Sequence, residues 1–204
     1  MLIENDVDDI LIDVCWAMSY LSDGGEDRIP LIMETGVMPR LVQLLQHPNI
    51  AVSVPCLRSI GNIVTGTDDQ TQAVINSGAL DALNNIIYHK KKTVRKEVCW
   101  SLSNITAGNA QQIQVCMDLG LIDKLINVLM NDDQEIKKEA VWAVSNCTAG
   151  ATFEQFVQLV SKGILQALTS VLRMKEARIL AVALEGIENI LKSGKAHFMQ
   201  VRLS

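Results

Sequence analysis

Apolar residues return along this chain at helical intervals, and the whole arrangement returns every 42 or 43 residues. Four runs open on a glycine, at Gly36, Gly78, Gly120 and Gly163, spaced by 42, 42 and 43 residues. Each run carries aliphatic side chains at matching places: Leu41, Leu83, Leu125 and Leu168 at one, Leu44, Ile86, Val128 and Val171 three residues later, and Leu45, Ile87, Leu129 and Leu172 beside them. A second register, formed by Trp16, Arg58, Trp100, Trp142 and Glu185, keeps spacings of 42, 42, 42 and 43. Apolar positions three and four apart predict amphipathic helices, and no period-two alternation is sustained, so an all-α chain is expected. A fixed period of this length predicts an α-solenoid, whose units bury their apolar faces on one another at about 0.8 kcal/mol per buried methylene. Such arrays commonly serve as binding surfaces.

The punctuation within each unit predicts three helices. In the third unit, Ala110 to Leu119 forms a short helix, Gly120 breaks it, and Leu121 to Met130 forms a second. Asn131, Asp132 and Asp133 make a turn whose polar side chains are expected to cap the next helix, from Gln134 to Thr148. That helix is expected to stop at Gly150 in the left-handed conformation, and Gly24, Gly66 and Gly108 mark the same stop elsewhere. The units are placed at 26–66, 68–108, 110–150 and 152–194, after a partial unit at 1–24 whose third helix runs near 7–22.

The third helices carry the candidate chemistry. In the segment 134–148, Ile136, Ala140, Ala143, Val144 and Cys147 form one apolar stripe. Taking Glu139 as zero, Trp142 lies near −60° and Asn146 near −20°, whereas the apolar set spreads from about +40° to +140°. The preceding unit repeats this, with Val94, Val98, Leu102 and Ile105 on the apolar stripe and Glu97, Trp100 and Asn104 beside it. An isolated indole on a helix is usually core packing, but here carboxylate, indole and amide recur together off the core face. Asn can bond both the N–H and the C=O of a passing main chain. Indoles one helix-packing distance apart form walls for the alkyl stem of Lys or Arg, whose charge a nearby carboxylate neutralises. The ligand inferred from this stripe is an extended basic peptide.

Composition narrows the remaining choices. The 204 residues are 49% apolar and evenly distributed, which suits one elongated domain. No apolar run reaches membrane-spanning length and no secretory signal opens the chain, so a soluble intracellular protein is expected. Cys15, Cys56, Cys99, Cys116 and Cys147 are five in number and show no C-x-x-C pair, and are read as reduced core thiols. A net charge of −5 disfavours nucleic acid and favours a cationic partner. His47, His89 and His197 are scattered, no Cys or His falls at metal spacing, and no glycine run forms a phosphate loop. No enzyme activity, cofactor or metal is expected. The basic turn from His89 to Lys92 is read as a solvated loop, as are Lys192, Lys195 and Arg202 near the C-terminus.

The third helices Trp100 to Asn104 and Trp142 to Asn146, followed by Ile-Thr-Ala-Gly and Cys-Thr-Ala-Gly, resemble the armadillo repeats of importin-α, the nuclear-import adaptor. The likeness covers essentially the whole chain, including the irregular stretches Cys15 to Gly24 and Arg58 to Asp68, and its order is similar to the fifth through ninth repeats of that family. It implies a right-handed armadillo superhelix with three helices per repeat, and a concave groove for Lys/Arg-rich nuclear localisation signals. The peptide-binding positions it implies at the family's minor site are Asn62, Val64, Thr65, Asp68, Glu97, Trp100, Ser103, Asn104, Glu139, Trp142 and Asn146. Asp13, Trp16 and Tyr20 match the border toward the upstream site, and Arg58, Glu185 and Asn189 the periphery. Arg58 replaces the indole and Pro55 the acid in one unit, while Glu185 and Val182 do so in the last, so the groove is expected to be strongest between Asn62 and Asn146.

The resemblance further implies residence in both cytoplasm and nucleus, cargo proteins as partners, and an export-factor contact near the C-terminal repeats. Contact with the importin-β carrier would use a basic segment that does not precede these repeats, and the upstream array is missing, which suggests a truncated chain or incomplete gene model. A different reading is a structural or signalling armadillo scaffold for other extended peptides; grooves for acidic ligands should carry Lys or Arg where Glu97 and Glu139 stand.

Overall fold

The computed structural model describes residues 2–25 and 27–203, with side chains through His197. Among these residues every regular element is helical. After a short 3₁₀ turn at Leu2–Glu4, the helices are α1 (Asp8–Ser22), α2 (Arg28–Glu34), α3 (Met38–Leu44), α4 (Ile50–Ile63), α5 (Asp68–Asn76), α6 (Ala79–Ile86) and α7 (Lys92–Thr106). They continue with α8 (Ala110–Asp118), α9 (Leu121–Asn131), α10 (Gln134–Asn146), α11 (Phe153–Ser161), α12 (Ile164–Ser170) and α13 (Ala177–Leu203). The order is a third helix followed by four sets of three, as the period requires. The chain packs as two compact units, one ending at Ile105 and one beginning at Thr106.

Local chemistry sets the breaks between helices. Gly36, Gly78, Gly120 and Gly163 all have positive φ, between 69° and 89°, and each turns the chain from the first helix of a repeat into the second. Only glycine adopts this conformation without steric cost. The stop after α10 is different. Gly150 does not take positive φ; a Cβ there would lie 2.6 Å from the carbonyl oxygen of Gly108, so its role is close backbone approach. At Gly150 close packing therefore takes the place of the expected left-handed stop, whereas after α1 a left-handed glycine does occur, at Gly25 (φ 100°) and not at Gly24.

Capping differs in the same way. Asp133 sits at the N-cap of α10, yet its carboxylate makes no capping bond to the helix. Reciprocal capping boxes appear instead on the first helices, at Thr67 with Gln70, Asn109 with Gln112 and Thr152 with Gln155. In each, the cap side chain accepts from the third backbone N–H while the Gln carbonyl accepts from the cap N–H, satisfying two otherwise unpaired donors. Gln155 also reaches across to α8, donating to the Ala110 carbonyl at 2.8 Å and the Gln114 side chain at 2.9 Å.

The second helices supply the core. Leu41, Leu83, Leu125 and Leu168 are fully buried, as are Leu45, Ile87 and Leu129, whereas Ile86 and Leu172 are only half-buried. In the first unit α1 packs along α4; in the second α10 packs against α9 and α13. Small residues let the third helices approach closely. A Cβ on Gly61 would collide with the Trp100 ring, and one on Gly186 would meet Ser145 Oγ at 2.9 Å.

Two substitutions test this account. Thr152→Ala removes one cap and is expected to lower stability by about 1 kcal/mol. Gly150→Ala forces the approach to Gly108 open and should cost about 1–3 kcal/mol. Thermal unfolding followed by circular dichroism measures both, and no loss in either variant would contradict the assigned roles.

Candidate functional site

The stripe expected on the third helices forms, but part of it faces inward. On α7, Trp100 and Asn104 are half-buried while Glu97 is 7% exposed. The Glu97 carboxylate accepts two bonds from Arg58 of α4, from Nε at 2.9 Å and from Nη2 at 2.6 Å. This fork fixes the guanidinium above the Trp100 ring, with Cζ 5.4 Å from the centroid. Ionic pairing and cation–π attraction thus act on one arginine. Below, the indole rests against Gly61, where any side chain would displace it.

The asparagines join neighbouring third helices. Asn62 Nδ2 donates to the Ser19 carbonyl at 3.1 Å, and Asn104 Nδ2 donates to the Gly61 carbonyl at 3.1 Å, in each case across 43 residues. They differ in the second amide hydrogen. That of Asn62 goes to Ser22 Oγ at 3.0 Å. For Asn104 the equivalent position is Val64, which has no hydroxyl to accept it. Asn62 is consequently turned into the α1–α4 interface and 6% exposed, whereas Asn104 keeps an N–H and its carbonyl oxygen at a half-exposed position. A side chain of this kind can bond a passing main chain.

The adjoining positions divide similarly. Val64 is buried at 3% exposure and offers little surface to a ligand. Ser103 is also buried, its hydroxyl donating to the Trp100 carbonyl at 2.8 Å. Thr65 and Asp68 are exposed, Thr65 donating to the Asn62 carbonyl at 2.7 Å and Asp68 standing in the first turn of α5. On α1, Asp13, Trp16 and Tyr20 are all exposed, and the two rings stack with centroids 5.9 Å apart. Pro55 lies inside α4, and the Ser59 hydroxyl donates to its carbonyl at 2.9 Å.

In the second unit, Glu139, Trp142 and Asn146 are half-buried along α10. Arg178, in the first turn of α13, lies over the Trp142 ring at 5.2 Å. Lys138 bridges Glu135 at 2.8 Å and Glu176 at 2.9 Å, and these two bonds hold its ammonium above the ordinary lysine pKa. Asn189 donates to Thr148 Oγ1 at 3.1 Å, and Ser145 Oγ donates to the Val182 carbonyl at 2.8 Å. Glu185 is exposed and borders an apolar groove on α13 with Leu184, Glu188 and Leu191.

Two features escaped the sequence reading. The Arg58–Glu97 pair joins positions 39 residues apart, off the repeat period, and its signal was the coincidence of an arginine in the indole register with an acid in the next unit. The Arg178 stack had no repeated signal, because Glu135 occupies the same register one unit earlier. Among the described residues, no three Cys, His, Asp or Glu gather as a metal site, and no helix is long and apolar enough to cross a membrane.

Comparison with known proteins accords with this architecture. The Armadillo/beta-catenin-like repeat family matches residues 26–65, 67–107 and 109–149. Importin subunit alpha-B of Dictyostelium discoideum is 72% identical over 188 residues, 92% of this chain and 36% of that protein. Importin subunit alpha-1b of Oryza sativa subsp. japonica is 55% identical over 65 residues, 32% of this chain and 12% of that protein. The matches therefore span little more than a third of these relatives at most. Among solved structures, a designed armadillo repeat protein in complex with the peptide (KR)4 superposes with a TM-score of 0.87 at 28% identity, covering 93% of this chain and 79% of that one. Computationally designed armadillo repeat proteins for modular peptide recognition give 0.86 at 26% identity, covering 92% and 79%. The chain belongs to the Armadillo/beta-catenin-like repeat family, and within it is similar to importin subunit alpha.

Proposed function

We propose that this chain is a peptide-receiving segment of a nuclear import adaptor, binding extended Lys/Arg-rich localisation signals along its third helices. The observation that carries this reading is the recurrence of Glu, Trp and Asn beside the apolar stripe on α7 and α10, with Trp100 and Trp142 left half-exposed. The designed relative described above takes a ligand of alternating Lys and Arg, which supports a basic peptide here.

In this reading Asn104 and Asn146 bond the ligand main chain, and each indole supports a Lys or Arg stem. Glu139 attracts the cationic head at Trp142. Glu97 stands beside Trp100 with its charge compensated by Arg58. A ligand cation at Trp100 either takes another part of the ring or displaces Arg58, which makes Arg58 a selectivity element on α4. Asp13, Trp16, Tyr20, Thr65 and Asp68 supply exposed acidic, aromatic and polar surface on the first unit for the rest of a long signal. Shuttling between cytoplasm and nucleus belongs to the same proposal.

Fluorescence anisotropy with a labelled import-signal peptide, a scrambled peptide of equal charge and an acidic peptide tests the reading. Saturable binding that prefers the signal is expected, and Trp142→Ala and Glu139→Arg should each weaken it roughly tenfold, the effect of removing about 1.4 kcal/mol. Equal, salt-erased binding of both basic peptides would reduce the interaction to general charge attraction, while preference for the acidic peptide would favour a scaffold. Arg58→Gln has a separate signature. It should tighten basic-peptide binding by opening the Glu97–Trp100 slot, yet lower stability by about 1–3 kcal/mol because a buried carboxylate loses its partner. Weaker peptide binding in this variant would assign Arg58 to ligand contact instead.

A further inference from the structure

The α1–α4 interface contains a pair of groups that peptide binding does not use. Cys15 and Cys56 face each other across the two helices, both 0% exposed, with their sulfurs 3.3 Å apart. They are separated by 41 residues and occupy different places within the repeat. The corresponding pair one unit later is Leu57 and Val98, both fully buried hydrocarbon, so packing alone does not demand sulfur here.

We propose that Cys15 and Cys56 form an oxidation site, where a hydroperoxide converts two thiols into a disulfide tying α1 to α4. The sulfurs already face one another and need to close to about 2.05 Å, a movement of roughly 1.3 Å across the interface. A shared zinc ion fits less well, since two ligands at about 2.3 Å each in tetrahedral geometry hold their sulfurs roughly 3.8 Å apart.

The chemistry balances without a further reactant. The Cys15 thiolate attacks one peroxide oxygen; the S–O bond forms, the O–O bond breaks, and the departing hydroxide takes the thiol proton to leave as water. Cys56 then attacks the Cys15 sulfenic sulfur, the S–S bond forms, the S–O bond breaks, and a second water leaves with the Cys56 proton. Two thiols are oxidised and one hydrogen peroxide is reduced to two waters. Cys56 donates its S–H to Cys15, which pulls the Cys15 thiol down against the opposing effect of burial. The same bond, followed by burial, pushes Cys56 up. Cys15 lies on α1, whose far side is exposed, so attack is assigned to Cys15 and resolution to Cys56, in the direction the two shifts also favour.

The reagent reaches the pair through local opening of α1, whose far side carries the exposed Asp13, Trp16, Ala17 and Tyr20. The disulfide would lie beside the bonds from Asn62 to Ser19 and Ser22, stiffening the same interface.

The test exposes the reduced 204-residue chain to graded hydrogen peroxide, then alkylates it under denaturing conditions and maps peptides without reductant. A linked peptide containing Cys15 and Cys56 is expected, lighter by two hydrogens and reversed by dithiothreitol, with Cys99, Cys116 and Cys147 still alkylated. The oxidised chain should melt roughly 5 °C or more above the reduced one. Alkylation of Cys15 and Cys56 to the same extent as the other three, or Cys15 recovered as sulfinic acid without a cross-link, would overturn the proposal. In Cys56→Val, the residue found one unit later, dimedone should trap Cys15 as a sulfenic acid. Failure to trap it, with the fold retained, would overturn the assigned roles.

Discussion

The close approach of successive third helices is the constraint on which the rest depends. It requires small residues at the seam, and Gly61 and Gly186 leave no room for even a Cβ. Helices this close bring backbone carbonyls within reach of neighbouring side chains, so Asn62 and Asn104 can span the seam while remaining helical. Hydrophobic burial by the second helices is larger in energy but indifferent to direction. The amide bonds are directional, and they tie each third helix to its neighbour at a defined point.

The proposed binding surface is built from the seam and shares its residues with the fold. Asn104 holds α7 to α4 with one hydrogen and retains the other groups for solvent or ligand. Arg58 shows the same sharing in charged form, neutralising a buried glutamate while covering an aromatic face that a basic ligand would seek. Arg178 covers Trp142 in a similar manner from α13. Under the proposed function, intramolecular cations would compete with a ligand of the same charge, and affinity would depend on how easily each side chain leaves its ring. Competition of this kind favours a ligand with several properly spaced cations over one with a single strong contact, because only repeated gains offset the displacement.

Sulfur adds a second kind of coupling to the same seam. The thiols of Cys15 and Cys56 meet across α1 and α4, 41 residues apart in the chain. The adjacent asparagine bonds lie in the same interface, so a change in helix separation is felt by both.

The recurrence of glycine, leucine and tryptophan determined the helix order and the all-α class, because period and apolar spacing are properties of one dimension. The stripe of Glu, Trp and Asn was legible for the same reason. Which of its members are exposed and which are already bonded was decided only in three dimensions. Asn62 and Asn104 share one register, yet Ser22 accepts the second hydrogen of the first and Val64 cannot accept that of the second. Glu97 is legible as the acid of its register, but only the folded chain shows Arg58 of the preceding third helix paired with it. Gly120 and Gly150 both read as helix punctuation, and only backbone geometry separates a left-handed turn from a close approach. Sequence fixes which groups are present at each step of a repeat; the neighbouring helix determines which of their bonds are already made.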